Sequence, residues 1–323
     1  MNLTCAWCLI ANATLLNIEW PDLNSQYYAT IVNNTNLTIK GQFPNARYFS
    51  FELYSLDTWE PYWDVYDQNI DSDINPYNNQ EIIYNKTLNY TINITPDLSN
   101  KETILIYRIY KGIDLQGGVD LPELSYIDYE IPQCSHDNRP TILIQDTNSS
   151  IPLYKPNQNN NFYPPQEDNN LFRNDDARYM VAYFNNTKQN FKSAVVEFKL
   201  PYFPKNINEI ASKDYDVRYY SISIIDLSSP RQTTQTFSDE EIYLYSDENN
   251  KSTLFLHCID LKNITLQLYP PTKSNCSSIV NYFGVLYRQL LPKFKNMIPV
   301  IKPLSNYSLK VLMGDYYPMI YWT

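Results

Sequence analysis

Apolar and polar residues alternate with a period of two along much of the chain, and helical periodicity is rare. Successive side chains of a strand point to opposite faces of a sheet, so the alternation predicts β-strands with one buried and one solvated face. Loops rich in Pro, Asn and Asp separate these segments, which favours an all-β protein of β-sandwich or jelly-roll type. The predicted strands are 36–41, 46–55, 86–95, 103–110, 194–200, 217–226, 252–258, 263–268 and 281–290.

The predicted strand 86–95 lies within "NKTLNYTINIT", where every second residue from Leu88 to Ile94 is apolar. The residues between them include Asn89 and Asn93, which with Asn85 begin three N-x-[ST] glycan-acceptor triplets, each four residues from the next. At roughly 3.3 Å per residue, neighbouring acceptors are about 13 Å apart on the polar face. The pattern predicts a strand that carries a row of glycans.

Acceptor triplets recur along the whole chain, at about two and a half times the frequency expected by chance from its Asn, Ser and Thr content. This excess predicts a secreted, densely N-glycosylated protein of the extracellular space or cell surface. The alternative is an Asn-rich chain that never meets a glycosyltransferase. The acceptors are Asn2, Asn12, Asn33, Asn36, Asn85, Asn89, Asn93, Asn148, Asn185, Asn250, Asn263, Asn275 and Asn306.

Three pairs of segments recur in the same order in the two halves of the chain. "YYATIVNNT" from Tyr27 matches "YMVAYFNNT" from Tyr179, "ARYFSFELYSL" matches "VRYYSISIIDL", and "ILIYRIY" matches "GVLYRQL". They predict two tandem β-domains related by internal duplication, at 1–131 and 171–323. Residues 132–170, rich in Pro and Asn, are interpreted as a linker. Within it, the β-prone segment 141–146 has no neighbouring hairpin partner, so it must close its own sheet or pair with another copy.

Arginine recurs on faces that are otherwise apolar. A buried guanidinium needs carboxylates or carbonyls around it, so we predict two matching arginine–acid networks, one fixing each domain. A binding site for an anionic ligand is the alternative. The four arginines are Arg47, Arg108, Arg218 and Arg288.

Acidic and amide side chains alternate in "DVYDQNIDSDINPYNN". This spacing is compatible with oxygen ligands around Ca²⁺, although the Gly and distal Glu of a helix–loop–helix calcium motif are missing. The favoured reading is a turn that also supplies acids to Arg47. The weak calcium candidates are Asp67, Asn69, Asp71 and Asp73.

The cysteine spacing is compatible with disulfides. Cys258 and Cys276 can close a loop in the second half, and Cys134 can join either Cys5 or Cys8. One thiol is then left over, which in a secreted protein indicates a free thiol or an intermolecular bridge. A zinc site is less favoured, because the single C-x-x-C lacks a second pair of ligands.

Composition and charge exclude several classes of function. The formal net charge of −10 argues against nucleic acid as a partner, since phosphate contacts need clustered Lys and Arg. No apolar run reaches the roughly 18 residues of a membrane span. With two His and no Gly-rich phosphate loop, we predict no enzyme, no catalytic residue and no cofactor. Exposed aromatics such as Trp59, Trp63 and Trp322 leave a sugar-binding site as an alternative.

The chain resembles a family of uncharacterised secreted proteins, mostly bacterial. The resemblance rests on "PDLNSQYY", "GQFPNARYFSFELY", "DQNIDSDINP", "LIYRIY" and "GGVDLPEL" in this order, and on "VRYYSISIID", "VLYRQLLP" and "GDYYPMIYW" in the second half. It covers most of the chain and implies a tandem β fold and secretion, with no reaction and no catalytic residue. More weakly, the chain is similar to subunits of glycosylated extracellular fibrils.

Together these features predict a structural glycoprotein of an extracellular fibre or cell-surface coat. Its partner would be further copies of itself, joined when a strand of one copy completes a sheet of the next. Residues 141–146 or the apolar N-terminal stretch are the expected donor strand. A secreted carbohydrate-binding module is the alternative.

Overall fold

The structure is a computed structural model that describes most of the chain. The described residues are 5–11, 21–33, 35–58, 60–78, 88–95, 103–114, 116–127, 129–134, 161–164, 173–185, 193–226, 233–257, 265–267, 282–293, 298 and 306–322. We refer to the described residues up to 134 as the first half and to those from 161 as the second half.

The first half forms a five-stranded and a four-stranded antiparallel sheet. Its strands are β1 (Cys8–Ala11), β2 (Ser25–Val32), β3 (Leu37–Gln42), β4 (Tyr48–Ser55), β5 (Pro61–Tyr66), β6 (Asn89–Ile94), β7 (Thr103–Tyr110), β8 (Glu123–Tyr126) and β9 (Tyr129–Ile131). They are ordered β1-β2-β7-β4-β5 in the larger sheet and β6-β3-β8-β9 in the smaller.

The second half forms two four-stranded sheets. Its strands are β10 (Ala177–Asn185), β11 (Ser193–Lys199), β12 (Tyr219–Asp226), β13 (Thr233–Ser238), β14 (Lys251–His257), β15 (Thr265–Gln267), β16 (Tyr282–Leu290) and β17 (Met319–Trp322). They are ordered β10-β16-β12-β13 and β15-β14-β11-β17.

The two halves repeat one strand order, which confirms the predicted all-β fold built by internal duplication. The series β2-β7-β4-β5 corresponds to β10-β16-β12-β13, and β6-β3-β8 corresponds to β14-β11-β17. The sequence repeats fall on equivalent strands. Tyr27 lies opposite Arg108 in the first half, and Tyr179 lies opposite Arg288 in the second.

Alternation along the strands builds one core inside each half. In β4, Phe49 and Phe51 face the core of the first half, where they pack on Tyr107 of β7. In the second half, Tyr220 of β12 and Tyr287 of β16 occupy the same place. Apolar and aromatic burial of this kind is the main favourable term in folding.

The five-stranded sheet of the first half and its counterpart β10-β16-β12-β13 in the second half are called the larger sheets. They are also buried on their opposite faces, because the two halves pack against each other there. Strands β4 and β7 are buried along their whole lengths. Tyr48 and Tyr110 of the first half contact a cluster that contains Tyr219 and Leu290 of the second. We call this contact the inter-half interface.

Short helices fill three connections in the second half: α1 (Ile207–Ser212), α2 (Asp239–Tyr243) and α3 (Asn306–Met313). The Asn206 side chain caps α1 by accepting from the Glu209 amide. Ile210 of α1 packs into the core of the first half, which adds to the inter-half contact. None of the described helices has the length and apolarity needed to span a bilayer.

The described ends of the predicted linker 132–170 are joined to the two halves. Ala6 forms a parallel bridge with Gln133, and Tyr163 forms an antiparallel bridge with Val181. Phe162 is fully buried in the core of the second half. The segment 141–146, predicted to be an isolated strand, lies outside the described residues.

Candidate functional site

The outer face of the smaller sheet of the first half carries the densest group of glycan acceptors. Strand β6 alternates regularly, with Asn89, Thr91 and Asn93 exposed and the residues between them buried. The three acceptor triplets of this segment were predicted to share one polar face. In the structure, Asn89 and Asn93 both lie on the exposed face of β6. Asn85, the third, lies outside the described residues.

Strand β3 extends this acceptor face. Its residues Thr38 and Gln42 lie opposite Asn93 and Asn89, respectively. Thr38 belongs to the triplet that begins at the exposed Asn36, and its Oγ1 donates to Asn93 Oδ1 at 3.1 Å. We define the acceptor face as the exposed residues of β3 and β6 together with Asn33 and Asn36, which precede β3.

The acceptor face lies at an edge, because β6 is the outermost strand of its sheet. An edge strand presents unpaired backbone groups that invite pairing with other chains. Bulky glycans on the face of such a strand would hinder an incoming strand. The Asn89 and Asn93 amides are therefore exposed on the outermost described strand of this sheet.

The other acceptors are spread over the chain. Asn250 is exposed in the left-handed turn that precedes β14, with φ of 55°. Asn185 ends β10 and Asn306 begins α3. The remaining acceptors, Asn2, Asn12, Asn148, Asn263 and Asn275, lie outside the described residues.

Arg47 and Arg218 each bind an acid that lies just after the outer strand of the opposite half. Arg47 Nη1 lies 2.7 Å from Asp239 of α2, and its Nη2 lies 2.7 Å from Glu240. Arg218 Nη1 lies 3.0 Å from Asp67, which directly follows β5. Asp67 and Asp239 are equivalent, since each follows the outer strand of a larger sheet. The two pairs are thus related by the duplication and cross the interface in opposite directions.

The other two arginines lie at the centre of their sheets, each stacked within 5.5 Å of a tyrosine ring. Arg108 of β7 pairs with Glu52 of its own half at 3.0 Å. Arg288 of β16 instead pairs with Asp22 of the other half at 2.8 Å. Asp22 also accepts from Tyr219 and Ser221 of β12, at 2.9 and 2.6 Å.

The duplication explains why these two arginines use different acids. Asp22 and Asn174 form equivalent turns, one before β2 and the other before β10. In each turn the side-chain oxygen accepts a hydrogen bond of 2.8 Å from the backbone amide of the residue two positions later. Where the first half has the acid Asp22, the second has the neutral Asn174. Glu52 and Ser223 also occupy equivalent positions in the strand register. Glu52 lies opposite Ile106 of β7, and Ser223 lies opposite Leu286 of β16, so the acid of the first half is again replaced by a neutral residue in the second. Within the described part of the chain, Arg108 pairs with Glu52 and Arg288 pairs with Asp22, and both acids come from the first half.

The networks differ from the prediction in what they hold together. Arginine–acid networks were expected to fix each domain separately, and Asp67 was expected to bind Arg47. Three of the four pairs instead join one half to the other, and Asp67 binds Arg218. The guanidinium groups are taken up by protein acids, so this arrangement supports a structural role and not an anion-binding site.

Burial shifts the protonation of several acids at the interface. It raises the pKa of Asp239 to about 7, against the opposing attraction of Arg47. It also raises the pKa of Asp176 to about 7, although the Tyr48 hydroxyl donates to this carboxyl at 2.7 Å and opposes the shift. Glu52, Asp64 and Asp67 repel a charge on Asp176 and add to the increase in its pKa.

The calcium candidates do not form a ligand set. The Asp67 carboxyl is fully buried and binds Arg218 and the Phe49 amide, at 3.0 and 3.1 Å. Asn69, Asp71 and Asp73 are exposed in the turn that follows. Among the described residues, the only cluster of potential metal-ligating groups is formed by cysteines.

Three cysteines meet where the N-terminal segment joins the end of β9. Cys134 lies within disulfide-bonding distance of both Cys5 and Cys8, as the sequence spacing allowed. The Cα–Cα distances are 4.7 Å to Cys5 and 5.4 Å to Cys8, both within the range of disulfides. The sulfurs of Cys5 and Cys8 are 3.6 Å apart. Cys258 and Cys276 lie outside the described residues.

The aromatic candidates for sugar binding receive little support. Trp63 of β5 is partly buried and packs on the core of the first half. Trp59 lies outside the described residues, and Trp322 ends β17. Asp22, Glu52 and Asp239, the remaining buried partners of the arginines, carry no local sequence signal that predicts this role. Aligning the halves strand by strand would have revealed Asp239 as the equivalent of Asp67.

Comparisons with known proteins identify a fold and no family. No protein-family model matches the chain, and no curated protein matches it. A putative uncharacterised protein from Burkholderia cenocepacia is similar in structure, with a TM-score of 0.55 and 10% identity over 98% of this chain and 82% of that one. A protein from Vibrio parahaemolyticus aligns with a TM-score of 0.42 and 8% identity, over 94% and 90% of the two chains. The first likeness shows a shared all-β fold.

Proposed function

We propose that the protein is a secreted, N-glycosylated structural protein, a subunit of an extracellular fibre or cell-surface coat that acts without catalysis. The observation that carries this proposal is the acceptor face. Asn89 and Asn93 are exposed on the outermost described strand of their sheet, while the alternate residues of β6 are buried. Asn33 and Asn36 are exposed in the segment that precedes the neighbouring strand β3. A scaffold whose larger sheets are buried on both faces, and which displays aligned sugar acceptors, suits a coat protein.

Assembly by strand addition is part of the proposal, and the duplication indicates where a strand would add. In the first half, β8 pairs with β3 on one side and β9 on the other. Its counterpart β17 pairs with β11, and no described strand occupies the place equivalent to β9. The edge of β17 that no described strand occupies is the acceptor we assign for a donor strand from another copy.

The donor we assign is the segment 141–146. The N-terminal stretch was the other candidate, but Cys8–Ala11 pairs with β2 at the edge of its own sheet. It is also fixed by backbone hydrogen bonds between Ala6 and both Pro132 and Cys134, each 2.7 Å long. A strand held in this way is unsuited to donation.

Peptide mapping of the protein isolated from its natural source tests the glycosylation. We expect glycans on Asn89 and Asn93 and on the exposed Asn33, Asn36 and Asn250. The exposed Asn208 of α1 lies outside any triplet and should remain unmodified, which provides an internal control. Bare amides at both Asn89 and Asn93 would contradict the proposal.

Cysteine cross-linking tests the assembly. Ile142→Cys and Tyr321→Cys are made in separate proteins, since Tyr321 lies on β17 and is 42% exposed. Mixing the two proteins should give disulfide-linked pairs of unlike chains. Val311→Cys, on α3 and 65% exposed, is the matched control and should give none. If one doubly substituted chain cross-links only within itself, residues 141–146 complete their own sheet and the assembly proposal fails.

A further inference from the structure

The three sulfurs of Cys5, Cys8 and Cys134 admit more than one covalent arrangement. Cys134 is within reach of both Cys5 and Cys8, but a sulfur forms only one disulfide at a time. Either pairing leaves the third cysteine as a thiol. The chain therefore holds a disulfide and a spare thiol side by side.

The spare thiol is poorly placed to react with a second chain. Cys5 is 8% exposed and Cys8 is 7% exposed, so both sulfurs are largely shielded from solvent. The group each can reach is the neighbouring sulfur, because the two Sγ atoms are 3.6 Å apart. This weakens the sequence-based expectation that the odd cysteine forms an intermolecular bridge.

The peptide around the sulfurs is held by contacts that do not depend on their bonding. The Ala6 amide donates to the Pro132 carbonyl, and the Cys134 amide donates to the Ala6 carbonyl. The Trp7 amide donates to Thr30 Oγ1 at 2.7 Å, and its indole donates to the Pro122 carbonyl. With Trp7 in the left-handed region at φ 58°, the C-x-x-C loop folds both cysteines toward Cys134.

We propose that Cys5, Cys8 and Cys134 form a thiol–disulfide exchange site. In the exchange, the Cys8 thiolate attacks Cys134 Sγ of the Cys5–Cys134 disulfide and forms the Cys8–Cys134 bond. The bond to Cys5 breaks, its electron pair leaves with Cys5 Sγ, and the proton lost by Cys8 is taken up by Cys5. The oxidation state of the protein does not change, so no external oxidant is needed.

A third pairing gives the site access to an external substrate. If the Cys5 thiolate attacks Cys8 Sγ of the Cys8–Cys134 disulfide, the Cys5–Cys8 bond forms and Cys134 leaves as a thiolate. Cys134 is the partly exposed member of the three. It would then attack a small external disulfide, forming a mixed disulfide and releasing one equivalent of thiol. The class of ligand we assign is therefore a low-molecular-weight disulfide.

Disulfide mapping tests the exchange, because chymotrypsin cleaves after Trp7 and so separates Cys5 from Cys8. Full-length wild type is incubated at pH 8, and all free thiols are then blocked with excess N-ethylmaleimide under denaturing conditions. The blocked protein is digested with chymotrypsin at near-neutral pH, where the enzyme is active and no free thiol remains to drive further exchange. We expect Cys134 linked to Cys5 and to Cys8 in the same sample. A single pairing after incubation would overturn the proposal.

Two substitutions provide an independent readout. Cys5→Ser and Cys8→Ser should each retain a disulfide to Cys134, because either partner is in reach. A free Cys134 in either variant would overturn the shared-partner geometry. The alkylation state of Cys258 and Cys276 should be the same in all samples, which controls for general misfolding.

Oxidised glutathione is the probe for the external step. We expect glutathione to be added at Cys134 and at neither of the buried cysteines; addition at Cys5 or Cys8 would overturn the assignment of Cys134. If native protein gives three free thiols and one equivalent of bound zinc, the site is a thiolate metal centre and the exchange proposal fails. None of these results depends on glycosylation, so the test is separate from that of the proposed function.

Discussion

At the scale of single residues, the buried ion pairs show how charge is used to join the halves. Burying a charge is costly unless an opposite charge and further hydrogen bonds accompany it. Arg218 meets this requirement through Asp67, the Tyr215 hydroxyl and the Arg47 carbonyl. Such a pair stabilises the fold less than its contacts suggest, but removing one partner leaves the other uncompensated.

Arg218→Ala should therefore destabilise the protein strongly, by about 3–5 kcal/mol, because it leaves the Asp67 carboxylate buried without a cation. Urea unfolding measures the change. Arg173→Ala is the matched control, since Arg173 is 41% exposed and its pair with Asp175 lies at the surface. That variant should lose less than about 1 kcal/mol. Equal losses in both variants would contradict the buried network.

The stability of the protein should fall as the pH rises from about 4 to about 7. Burial raises the pKa of Asp176 from its ordinary value to about 7, so the folded state binds this proton more tightly than the unfolded state. The resulting stability is complete only below the ordinary pKa of 3.8, and it is lost between there and about pH 7, by at most about 1.4 kcal/mol per pH unit. Unfolding at pH 5 and pH 8 should show the loss.

Asp176→Asn should reduce this pH dependence, because the amide does not ionise but still accepts from Tyr48. Asp175→Asn changes the neighbouring acid, which is 43% exposed, and should leave the dependence unchanged. If Asp176→Asn and wild type lose the same stability between pH 5 and pH 8, the raised pKa of Asp176 is contradicted.

The arginines could be recognised from the sequence, but most of their partners could not. A charged residue on an apolar face stands out because the alternation defines the face. The partner acid is chosen by how the two halves pack, and Arg47 and Asp239 are 192 residues apart. No local pattern encodes such a contact, so the sequence placed Asp67 against the wrong arginine.

At the scale of elements, period-two alternation located the predicted strands to within a few residues. The alternation identified β3 and β6, which each have one solvent-exposed face and one buried face. The strands that it missed are β1, β2, β5, β8, β9, β10, β13 and β17. Strands β5 and β13 do not alternate, because their residues are polar or partly exposed on both faces, and β2 does not alternate because it is buried along most of its length. The sequence pattern also missed α1, since its six residues are too few to show helical periodicity.

The two faces of β3 should respond oppositely to truncation. Ile39 is fully buried, so Ile39→Ala should cost about 2–5 kcal/mol through lost burial and a residual cavity. The adjacent Lys40 is exposed, and Lys40→Ala should change stability by less than about 0.5 kcal/mol. Thermal or urea unfolding of the two variants compares them directly, and a larger loss at Lys40 would invert the assigned faces.

At the scale of the whole molecule, the halves form one cooperative structure. The inter-half interface combines a tyrosine-rich cluster with three buried ion pairs, and Ile210 of the second half enters the core of the first. Neither larger sheet is complete without the other half covering it. The sequence revealed the duplication, but it gave no indication that the repeated faces pack on each other.

We therefore expect a single heat-absorption peak in calorimetry, with equal calorimetric and van't Hoff enthalpies. Arg218→Ala should move this peak to lower temperature without dividing it, since the tyrosine cluster still couples the halves. Two separate peaks in the wild-type protein would show that the halves unfold independently and would contradict the interface.

The unequal distribution of Asp22, Glu52, Asn174 and Ser223 restricts which halves recognise each other. If two first halves packed against each other, each Arg108 would have two acids, Asp22 and Glu52, and the interface would bury excess negative charge. Two second halves would bury a guanidinium with no counter-ion at all. The charge balance therefore favours pairing of a first half with a second half over pairing of two identical halves. If copies ever traded halves, the exchange would have to run head to tail, first half to second half.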